Sequence, residues 1–415
     1  MKVCVVGSGG REHALAHVLA RTATSVVVTP GNPGIPGSVS TPPEDVDADL
    51  FVIGPEAPLV DGLADRLRGQ GKLVFGPGAD GARLEGSKAW MKQVLVDAGV
   101  PTAAYGSFSA DEERAALDFL ASMRPGPFVV KTDGLAAGKG VIVTESYDEA
   151  RDAVIAYLSG AAFGAAGQRL VIEEFLAGPE LSILAVCDGR RAVALAPAQD
   201  FKRVGDGDAG PNTGGMGAYT PVPVAGPDVV EEVMATAVQP TLEALADRGI
   251  DYRGVLYAGL VLTADGPKVL EYNVRFGDPE TQVVVPRLTS DLVELLAQAA
   301  AGELTATPTF ADDAYVTVVC ASEGYPATPR TGDVIEGLDA AEAAGATVFC
   351  AGVGADGDGR LVTAGGRVLA VTGAGATLDA ARAVAYAAVE ALSWPGMHHR
   401  TDIALLAAGQ QRAER

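Results

Sequence analysis

Lysine is scarce in this chain, and none follows position 268. The 415 residues hold 31 lysines and arginines against 53 aspartates and glutamates, a formal net charge of −22 at pH 7. A field of that sign repels nucleic acid and anionic membrane surfaces, so we expect neither as a partner. The few lysines therefore bear on how an anionic substrate would bind. Glycine-rich or motif-like segments contain Lys88, Lys131, Lys139 and Lys202.

Cysteine and long apolar runs are also scarce. The four cysteines are scattered, form no Cys-x-x-Cys and lie in apolar segments, which predicts buried free thiols in a reducing compartment. No uncharged apolar run reaches the ~20 residues of a membrane span. The N-terminus lacks the apolar core and the cleavage site of a signal peptide. We expect a cytoplasmic globular protein of two or three domains.

The most informative stretch is 268–282. From Val269 to Phe276 apolar and polar residues alternate, so Glu271, Asn273 and Arg275 are predicted to share one face of a strand. Carboxylate and carboxamide oxygens are ligands that Mg²⁺ takes together with substrate phosphates, and a guanidinium suits a carboxylate or phosphate. Taken alone, the pattern also fits a sheet face that meets water. The remaining motifs favour a binding site.

The chain opens as a nucleotide-binding α/β unit does. An apolar run at 2–6 leads into a glycine turn at 7–10 and then a helical pattern, so backbone amides of the turn are available to an anion. Glu12 stands where the dinucleotide fingerprint has its third glycine. We therefore expect a site for a different phosphate.

Two further segments combine glycine with polar residues. In 128–143, two β-rich runs flank a loop of small residues with two lysines, which can approach phosphates closely and close as a lid. The order of residues is not that of a Walker A loop. The segment 210–219 is predicted to be part of a long glycine-rich loop, a type that is usually functional or mobile. After about Ala311, short strands and one amphipathic helix at 378–392 predict a small α+β domain.

Together these motifs resemble the phosphoribosylamine–glycine ligase (glycinamide ribonucleotide synthetase) family of ATP-grasp enzymes, over nearly the whole chain. The resemblance rests on the motifs at 7–14, 54–60, 85–88, 133–140, 210–219 and 275–282. It implies a multidomain α/β and α+β fold. The expected parts are an open parallel α/β (pre-ATP-grasp) domain at 1–86, an ATP-grasp domain at 87–308 with a lid subdomain at about 106–176, and a small α+β domain at 309–415.

The resemblance also implies a reaction. ATP, glycine and 5-phosphoribosylamine would give glycinamide ribonucleotide, ADP and phosphate through glycyl phosphate, in de novo purine (IMP) biosynthesis. Two anions must approach each other in the first step, so such a site needs a metal and fixed positive groups more than a general base. The expected partners are these small molecules, with ATP as co-substrate and Mg²⁺ or Mn²⁺ as the metal. We expect a monomer.

Site residues follow from the same resemblance. The metal would be held by Glu271 and Asn273, and catalysis is assigned to Arg275, Lys202 and Asp278. The implied ATP-binding residues are Lys88, Lys131, Gly134, Ala136, Ala137, Gly138, Lys139, Glu173, Glu174, Phe175, Leu176 and Glu180. The implied substrate-binding residues are Gly9, Gly10, Arg11, Glu12, Asn32, Glu56, Asn212, Thr213, Gly214 and Gly215.

The sequence departs from the family pattern in places. The segment between Asn32 and Leu50 is proline-rich and lacks helical periodicity where the family usually has a helix, which puts one crossover of the N-terminal sheet in doubt. Thr132 and Val274 replace a common Ala and Cys. The strand at 255–262 carries no second metal carboxylate, so phosphates and water are expected to complete the metal shell.

Two alternative functions stay open at this point. One is another ATP-grasp carboxylate–amine ligase or a carboxylase. The other is a non-catalytic nucleotide-binding or regulatory module. Lys131, Glu271, Asn273 and Arg275 together argue against the second, because a protein that only binds has no need of metal and carboxylate groups in register.

Overall fold

The computed structural model describes residues 1–134, 140–160 and 169–413. The first part of the chain forms β1 (Lys2–Gly7), α1 (Gly10–Leu19), β2 (Ser25–Pro30), β3 (Leu50–Ile53), α2 (Glu56–Val60), α3 (Leu63–Gly69), β4 (Leu73–Phe75) and α4 (Ala79–Gly86). The four strands make one parallel sheet in the order β2–β1–β3–β4. The predicted strand, glycine turn and helix at the start of the chain are confirmed.

The connection from β2 to β3 contains no α-helix. Its only helical turn is a 3₁₀ turn at Pro43–Asp45, in line with the missing helical periodicity. Lys72 holds this connection from the side, because its Nζ donates to the carbonyl oxygens of Glu44 and Val46 at 2.7 and 3.1 Å. The parallel sheet thus forms without the additional helix of this crossover.

A small sheet with its own core follows. Its elements, with the helix that leads into it, are α5 (Lys88–Asp97), β5 (Tyr105–Ser109), α6 (Glu113–Ser122), β6 (Phe128–Thr132), β7 (Val141–Thr144), α7 (Tyr147–Leu158) and β8 (Arg169–Glu174). The antiparallel order is β5–β8–β6–β7, and a hydrophobic cluster separate from the main core fills the space between this sheet and its two helices. This unit lies in the segment for which a lid was predicted. The domain boundaries themselves stay a prediction.

The next elements include strands that carry several of the candidate site residues. They are β9 (Glu180–Asp188), β10 (Ala192–Ala194), β11 (Gln199–Asp200), β12 (Arg203–Gly205), β13 (Ala209–Asn212), β14 (Gly217–Thr220), α8 (Pro227–Val233), α9 (Gln239–Asp247), β15 (Arg253–Thr263), β16 (Gly266–Asn273), α10 (Thr281–Val284) and α11 (Leu292–Ala301). Strands β10–β9–β15–β16 form an antiparallel sheet, in which β15 and β16 make a hairpin. The prediction that 210–219 belongs to a loop is wrong in part, because β13 and β14 lie within it.

The predicted strand at 269–276 is confirmed with two corrections. It ends at Asn273 rather than Phe276. A bulge places Glu271 opposite Gly259 and Val269 opposite Leu260, so Leu270 is the additional residue and is half-buried instead of core. Beyond the bulge the expected alternation holds, with Tyr272 buried and Glu271 half-buried.

The last part of the chain completes a sheet begun earlier. Its elements are β17 (Ala314–Ala321), α12 (Leu338–Ala343), β18 (Thr347–Cys350), β19 (Val353–Ala355), β20 (Leu361–Thr363), β21 (Arg367–Gly375), α13 (Leu378–Ala391) and α14 (Leu405–Ala413). The five-stranded order is β11–β14–β17–β21–β18, so β17 pairs with β14 from the preceding part. The predicted helix at 378–392 is confirmed as α13.

The core and the apolar segments agree with two further predictions. All four cysteines are buried free thiols. Within the residues that the model describes, none of the helices has both the length and the hydrophobicity of a membrane-spanning segment.

Candidate functional site

The end of β16 presents two oxygen donors side by side. Glu271 and Asn273 are two residues apart on the strand, so their side chains lie on the same face. Both are half-buried, with buried Tyr272 and Val274 pointing the other way. Neither side chain makes a hydrogen bond or ion pair with another described residue. Both are therefore available to an added ligand.

Positive groups surround the Glu271 carboxylate. Burial alone would raise its pKa, but Lys131, Lys202, Lys88 and Arg275, in that order of effect, hold the pKa below its ordinary value. Three of these cations come from distant parts of the chain, Arg275 follows four residues after Glu271, and all four were predicted as site residues. The structure brings them together around one carboxylate.

The donor set suits a hard divalent cation whose shell other ligands complete. A carboxylate oxygen and a carboxamide oxygen are hard ligands of the type that Mg²⁺ and Mn²⁺ accept. Among the described residues, no group of three or more His, Cys, Asp or Glu side chains is arranged to hold a metal ion. The assignment of Glu271 and Asn273 to a metal that also binds substrate phosphate stays a prediction.

The N-terminus of α5 carries Lys88 and contacts the start of the predicted lid loop. Lys88 Nζ lies 3.5 Å from the carbonyl oxygen of Gly134. Asp133 fixes this helix end, accepting hydrogen bonds from Ser87 Oγ at 3.0 Å and from the Ala89 amide at 2.7 Å. Four of the predicted loop residues, Ala136, Ala137, Gly138 and Lys139, lie outside the described residues.

The predicted nucleotide residues on β6 and β8 form a buried ion cluster. Lys131 Nζ is 3.0 Å from Glu173 Oε2. Lys92, which was not predicted, lies 3.1 Å from the same oxygen and is fully buried. Its helical position, one turn after the predicted Lys88, is the only sequence signal that pointed to it.

The predicted ATP-binding residues Glu174, Phe175 and Leu176 lie at the end of β8 and directly after it. Glu174 Oε1 accepts a hydrogen bond from the amide of Ala104 at 3.0 Å, and Lys268 Nζ lies 3.8 Å from that oxygen. Phe175 is 46% exposed, whereas Leu176 is only 9% exposed.

Lys202 joins two carboxylates at the far side of the site. Its Nζ lies 2.5 Å from Glu180 Oε2 and 2.9 Å from Asp200 Oδ1. Burial would lower the pKa of Lys202, but Asp200 and Glu180 raise it well above its ordinary value. Burial raises the pKa of Asp200 to about 6, even though Lys202 opposes that shift. Lys202 therefore stays protonated and positively charged at neutral pH.

Arg275 lies between two carboxylates from the N-terminal part. Its Nη2 is 2.8 Å from Glu85 Oε1 and its Nε is 3.4 Å from Glu56 Oε2. Glu85 also accepts the amide proton of Val274 at 2.9 Å, which fixes the chain just past β16. Glu85 was not predicted as a site residue, although it begins one of the motifs that carried the resemblance.

The N-terminal glycine turn reaches the same region. Glu12 accepts the Gly9 amide proton at 2.7 Å and the Arg11 Nε proton at 2.5 Å. Arg11 Nη1 donates to the carbonyl oxygen of Phe276 at 3.2 Å, so this turn contacts the segment after β16. Gly10 is the first residue of α1.

The side chain of Asn32 hydrogen-bonds backbone groups from both ends of the chain, and its predicted substrate contact stays a prediction. Its Nδ2 donates to the carbonyl oxygens of Ser8 and Ala351 at 2.8 and 3.0 Å, and its Oδ1 accepts the Gly34 amide proton at 2.8 Å. The side chain therefore tethers the N-terminal turn to the C-terminal part of the chain.

The glycine-rich segment 212–215 lies against the turn after β16. Thr213 donates through both its amide and its hydroxyl to the carbonyl oxygen of Lys202, at 2.7 and 2.8 Å. Gly215 has φ +109°, and a Cβ there would lie 2.4 Å from Pro279 Cδ, so only glycine fits. Half-buried Asn212 ends β13 beside it.

An arginine from the C-terminal part fixes both segments. Arg367 Nη1 donates to the carbonyl oxygens of Gly214 and Asp278 at 2.6 and 2.9 Å, and its Nη2 donates to Asp278 Oδ2 at 2.8 Å. Burial would raise the pKa of Asp278, but Arg367 and then Arg11 hold it below its ordinary value. Asp278 is therefore an anion at neutral pH.

The sequence signals for the C-terminal contribution were weak. No role was predicted for Arg367. Tyr325 gave no signal, although its hydroxyl accepts the Gly214 amide proton at 3.0 Å. The contacts of Arg367 and Tyr325 with Gly214 both join residues more than a hundred positions apart, which local sequence patterns do not reveal.

Family models match three consecutive parts of the chain. They are described as the N domain of phosphoribosylglycinamide synthetase at residues 1–85, its ATP-grasp (A) domain at 86–281 and its C domain at 315–406. The expected multidomain α/β and α+β layout is thereby confirmed.

Full-length relatives carry a consistent name. The chain is 46% identical to a phosphoribosylamine–glycine ligase from Mesorhizobium japonicum, with all of both chains covered. It is 49% identical to one from Streptomyces coelicolor, with 99% of this chain and 100% of the relative covered. A crystal structure of a phosphoribosylamine–glycine ligase from Thermotoga maritima superposes with a TM-score of 0.86 at 36% identity, covering 97% of this chain and 100% of the other.

Proposed function

The chain belongs to the phosphoribosylglycinamide synthetase family, and from that premise we propose how its residues carry out the reaction. It is an ATP-dependent carboxylate–amine ligase that joins glycine to 5-phosphoribosylamine in purine biosynthesis. The products are glycinamide ribonucleotide, ADP and phosphate. The route we propose passes through glycyl phosphate, because a carboxylate must be activated before an amine can displace an oxygen from it.

One observation carries the assignment of the site. Glu271 and Asn273 lie on one strand face, and Lys131, Lys202, Lys88 and Arg275 are close enough to the Glu271 carboxylate to oppose the effect of burial on its pKa. ATP is strongly anionic and the protein has a net charge of −22, so only a local concentration of positive charge allows it to bind.

The side-chain oxygens of Glu271 and Asn273 are of the type that binds a divalent metal. We propose that Glu271 and Asn273 hold Mg²⁺ or Mn²⁺. The bound ion would neutralise phosphate charge and so ease the approach of a carboxylate to phosphorus. Lys88 and Lys131 would bind the phosphates directly, and the loop that includes Gly134 would cover them.

Other residues would bind glycine and phosphoribosylamine. The guanidinium of Arg275 would orient the glycine carboxylate, and the anionic Asp278 would accept the glycine ammonium group. Lys202 would hold the phosphoryl group in transfer, and the segment Asn212–Gly215 would lie against the glycine and the acyl phosphate. The Gly9–Glu12 turn and Glu56 would face the phosphoribosylamine.

Two broader properties are part of the proposal. We propose that the enzyme acts in the cytoplasm, where its four free thiols stay reduced. We also propose that it acts as a monomer, because the site described above is formed by one chain.

Glycine-dependent ADP release tests the proposed function. Purified protein is given ATP, Mg²⁺ and freshly made phosphoribosylamine, with glycine, bicarbonate or another amino acid as the third substrate. ADP release should require both glycine and the amine. Turnover that required bicarbonate instead would identify a carboxylase, and ATP binding without turnover would identify a non-catalytic protein.

A further inference from the structure

Lys92 lies beneath the candidate nucleotide site, and the proposed chemistry does not use it. Its side chain is on α5 and is 0% exposed. Its Nζ lies 3.1 Å from Glu173 Oε2 and donates to Thr102 Oγ1 at 2.7 Å. Thr102 Oγ1 in turn donates to the carbonyl oxygen of Val269 at 2.6 Å. A buried ammonium group persists only where such partners compensate for lost hydration.

Lys131 shares its carboxylate oxygen with Lys92. Lys131 Nζ is 3.0 Å from Glu173 Oε2, whereas the buried Oε1 has no hydrogen-bond partner among the described residues. Two ammonium groups therefore divide one carboxylate, and the three side chains carry a net charge of +1 when all are ionised. Burial lowers the pKa of Lys92 to about 8, with Glu173 opposing and Lys131 adding to that shift. Lys92 is thus charged at neutral pH.

The excess positive charge faces the metal and phosphate end of the site. Lys131 Nζ lies 3.4 Å from the carbonyl oxygen of Leu270, the residue before Glu271. Lys92 is 0% exposed and Lys131 is 7% exposed. The positive charge that Glu173 does not neutralise is therefore available to a phosphate at Lys131.

Without Lys92, Lys131 and Glu173 would form a one-to-one ion pair with no net charge. A nucleotide phosphate would then have to compete with Glu173 for the Lys131 ammonium group. Charge-assisted hydrogen bonds to a carboxylate are strong in a partly buried site, so this competition would weaken phosphate binding.

We propose that Lys92 is a positioning residue for the nucleotide: it neutralises Glu173 and so leaves Lys131 with the charge that binds phosphate. The inference rests on the proposed function only in assigning nucleotide phosphate to Lys131. It concerns the phosphates of the nucleotide and not its base.

Binding of ADP and of adenosine separates these contributions. Both affinities are measured by titration calorimetry on the full chain for the wild type, Lys92→Met and the double variant Lys92→Met/Glu173→Gln. The readout is the ratio of ADP affinity to adenosine affinity. We expect that ratio to fall about tenfold in Lys92→Met, the loss of roughly one charge-assisted hydrogen bond. It should return to the wild-type ratio in the double variant, which loses one charge of each sign.

A matched control is Lys2→Met, which removes an exposed lysine paired with Asp47 at 2.7 Å and should leave both affinities unchanged. An unchanged ratio in Lys92→Met would overturn the inference, and so would an equal loss of ADP and adenosine affinity. A ratio that stays low in the double variant would also overturn it. If thermal melting shows that Lys92→Met does not fold, the double variant alone tests the inference. A wild-type ratio of ADP affinity to adenosine affinity then supports it, and a lower ratio overturns it. A wild-type protein that binds no ADP would contradict the proposed function instead.

Discussion

Arg367 Nη2 lies 2.8 Å from Asp278 Oδ2, although the two residues are 89 positions apart in the chain. Arg367 begins β21 of the C-terminal sheet, and Asp278 lies in the turn after β16. The remaining oxygen, Asp278 Oδ1, accepts a hydrogen bond from Gln282 Nε2 at 2.7 Å. The orientation of this carboxylate is therefore fixed by one contact from its own segment and one from a distant one.

Replacing Arg367 should impair glycine binding more than ATP binding. In Arg367→Gln, Asp278 and the carbonyl oxygen of Gly214 lose a charged donor, and the glycine ammonium site loses its orientation. We expect the KM for glycine to rise about tenfold, with the KM for ATP little changed. Steady-state ADP release at varied glycine and varied ATP checks this.

Arg360→Gln is the matched control for that measurement. Arg360 is 59% exposed, and within the described part of the chain its side chain pairs with the carboxylates of Asp356 and Asp358 in its own turn, so its loss should change neither KM. If Arg367→Gln raised both KM values equally, Arg367 would support the fold as a whole and not the glycine site.

Replacing Glu271 should abolish the response to metal while the protein stays folded. Glu271→Gln keeps the side-chain shape but removes the charge that a divalent ion needs. A metal is worth several kcal/mol at a phosphoryl-transfer transition state, so we expect turnover to fall by more than about a hundredfold. The measurement is ADP release as Mg²⁺ or Mn²⁺ is titrated, with thermal melting as the check on folding.

The exposed Glu303 provides the comparison for Glu271. Glu303→Gln removes the same charge far along the sequence from β16 and should leave the metal titration unchanged. Full turnover in Glu271→Gln would mean that the metal binds elsewhere.

The site could be predicted from the sequence where its chemistry is local. The alternation of Glu271, Asn273 and Arg275 is a property of one strand, and the glycine turn at 7–10 is a property of one connection. The bulge at Leu270 was missed because it depends on pairing with β15, which no pattern within β16 encodes.

Other features depend on contacts between distant segments. In the sequence Lys92 is one lysine in a helical segment. Its burial becomes evident only from the packing of α5 against Glu173 of β8. Nothing in the sequence indicated that the Asn32 amide group hydrogen-bonds backbone from both ends of the chain. Periodicity predicts which face of an element is apolar, but it does not predict which polar side chain a remote element meets.

His13 should make stability depend on pH in mildly acid solution. Its Nδ1 accepts the Cys350 amide proton at 2.8 Å, which requires the neutral ring. Burial, and to a lesser degree the neighbouring His17, lower its pKa to about 4. Between about pH 6.5 and 4 the unfolded chain binds a proton that the folded chain does not, so stability is lost as the pH falls.

The variant His13→Asn isolates this contribution, because Asn Oδ1 can accept the same proton without titrating. The free energy of unfolding is measured in urea at pH 7 and pH 5. The wild type should lose about 2 kcal/mol more than the variant between these values. An equal loss in both proteins would show that other groups govern the acid response.

Tyr257 should stabilise the protein through a buried carboxylate. Its hydroxyl donates to Glu280 Oε1 at 2.5 Å and lies 2.8 Å from Ser182 Oγ. Tyr257→Phe leaves Glu280 with a weaker set of donors in a buried place, so the free energy of unfolding should fall by about 1–3 kcal/mol. Urea unfolding at pH 7 measures it.

Tyr315→Phe is the reference for that experiment, since its hydroxyl bonds no other described residue. Its loss should cost little. A Tyr257→Phe protein as stable as the wild type would show that water replaces the lost hydroxyl beside Glu280.

The pairing of β14 with β17 limits how this enzyme can be divided. A chain cut before Ala314 would leave the hydrogen-bonding edge of β14 open along Gly217–Thr220, and an open edge invites association with other chains. Fragments split at that point should aggregate when expressed separately and become soluble when co-expressed. Split-protein reporters or circular permutants of this ligase therefore need their new ends at another position.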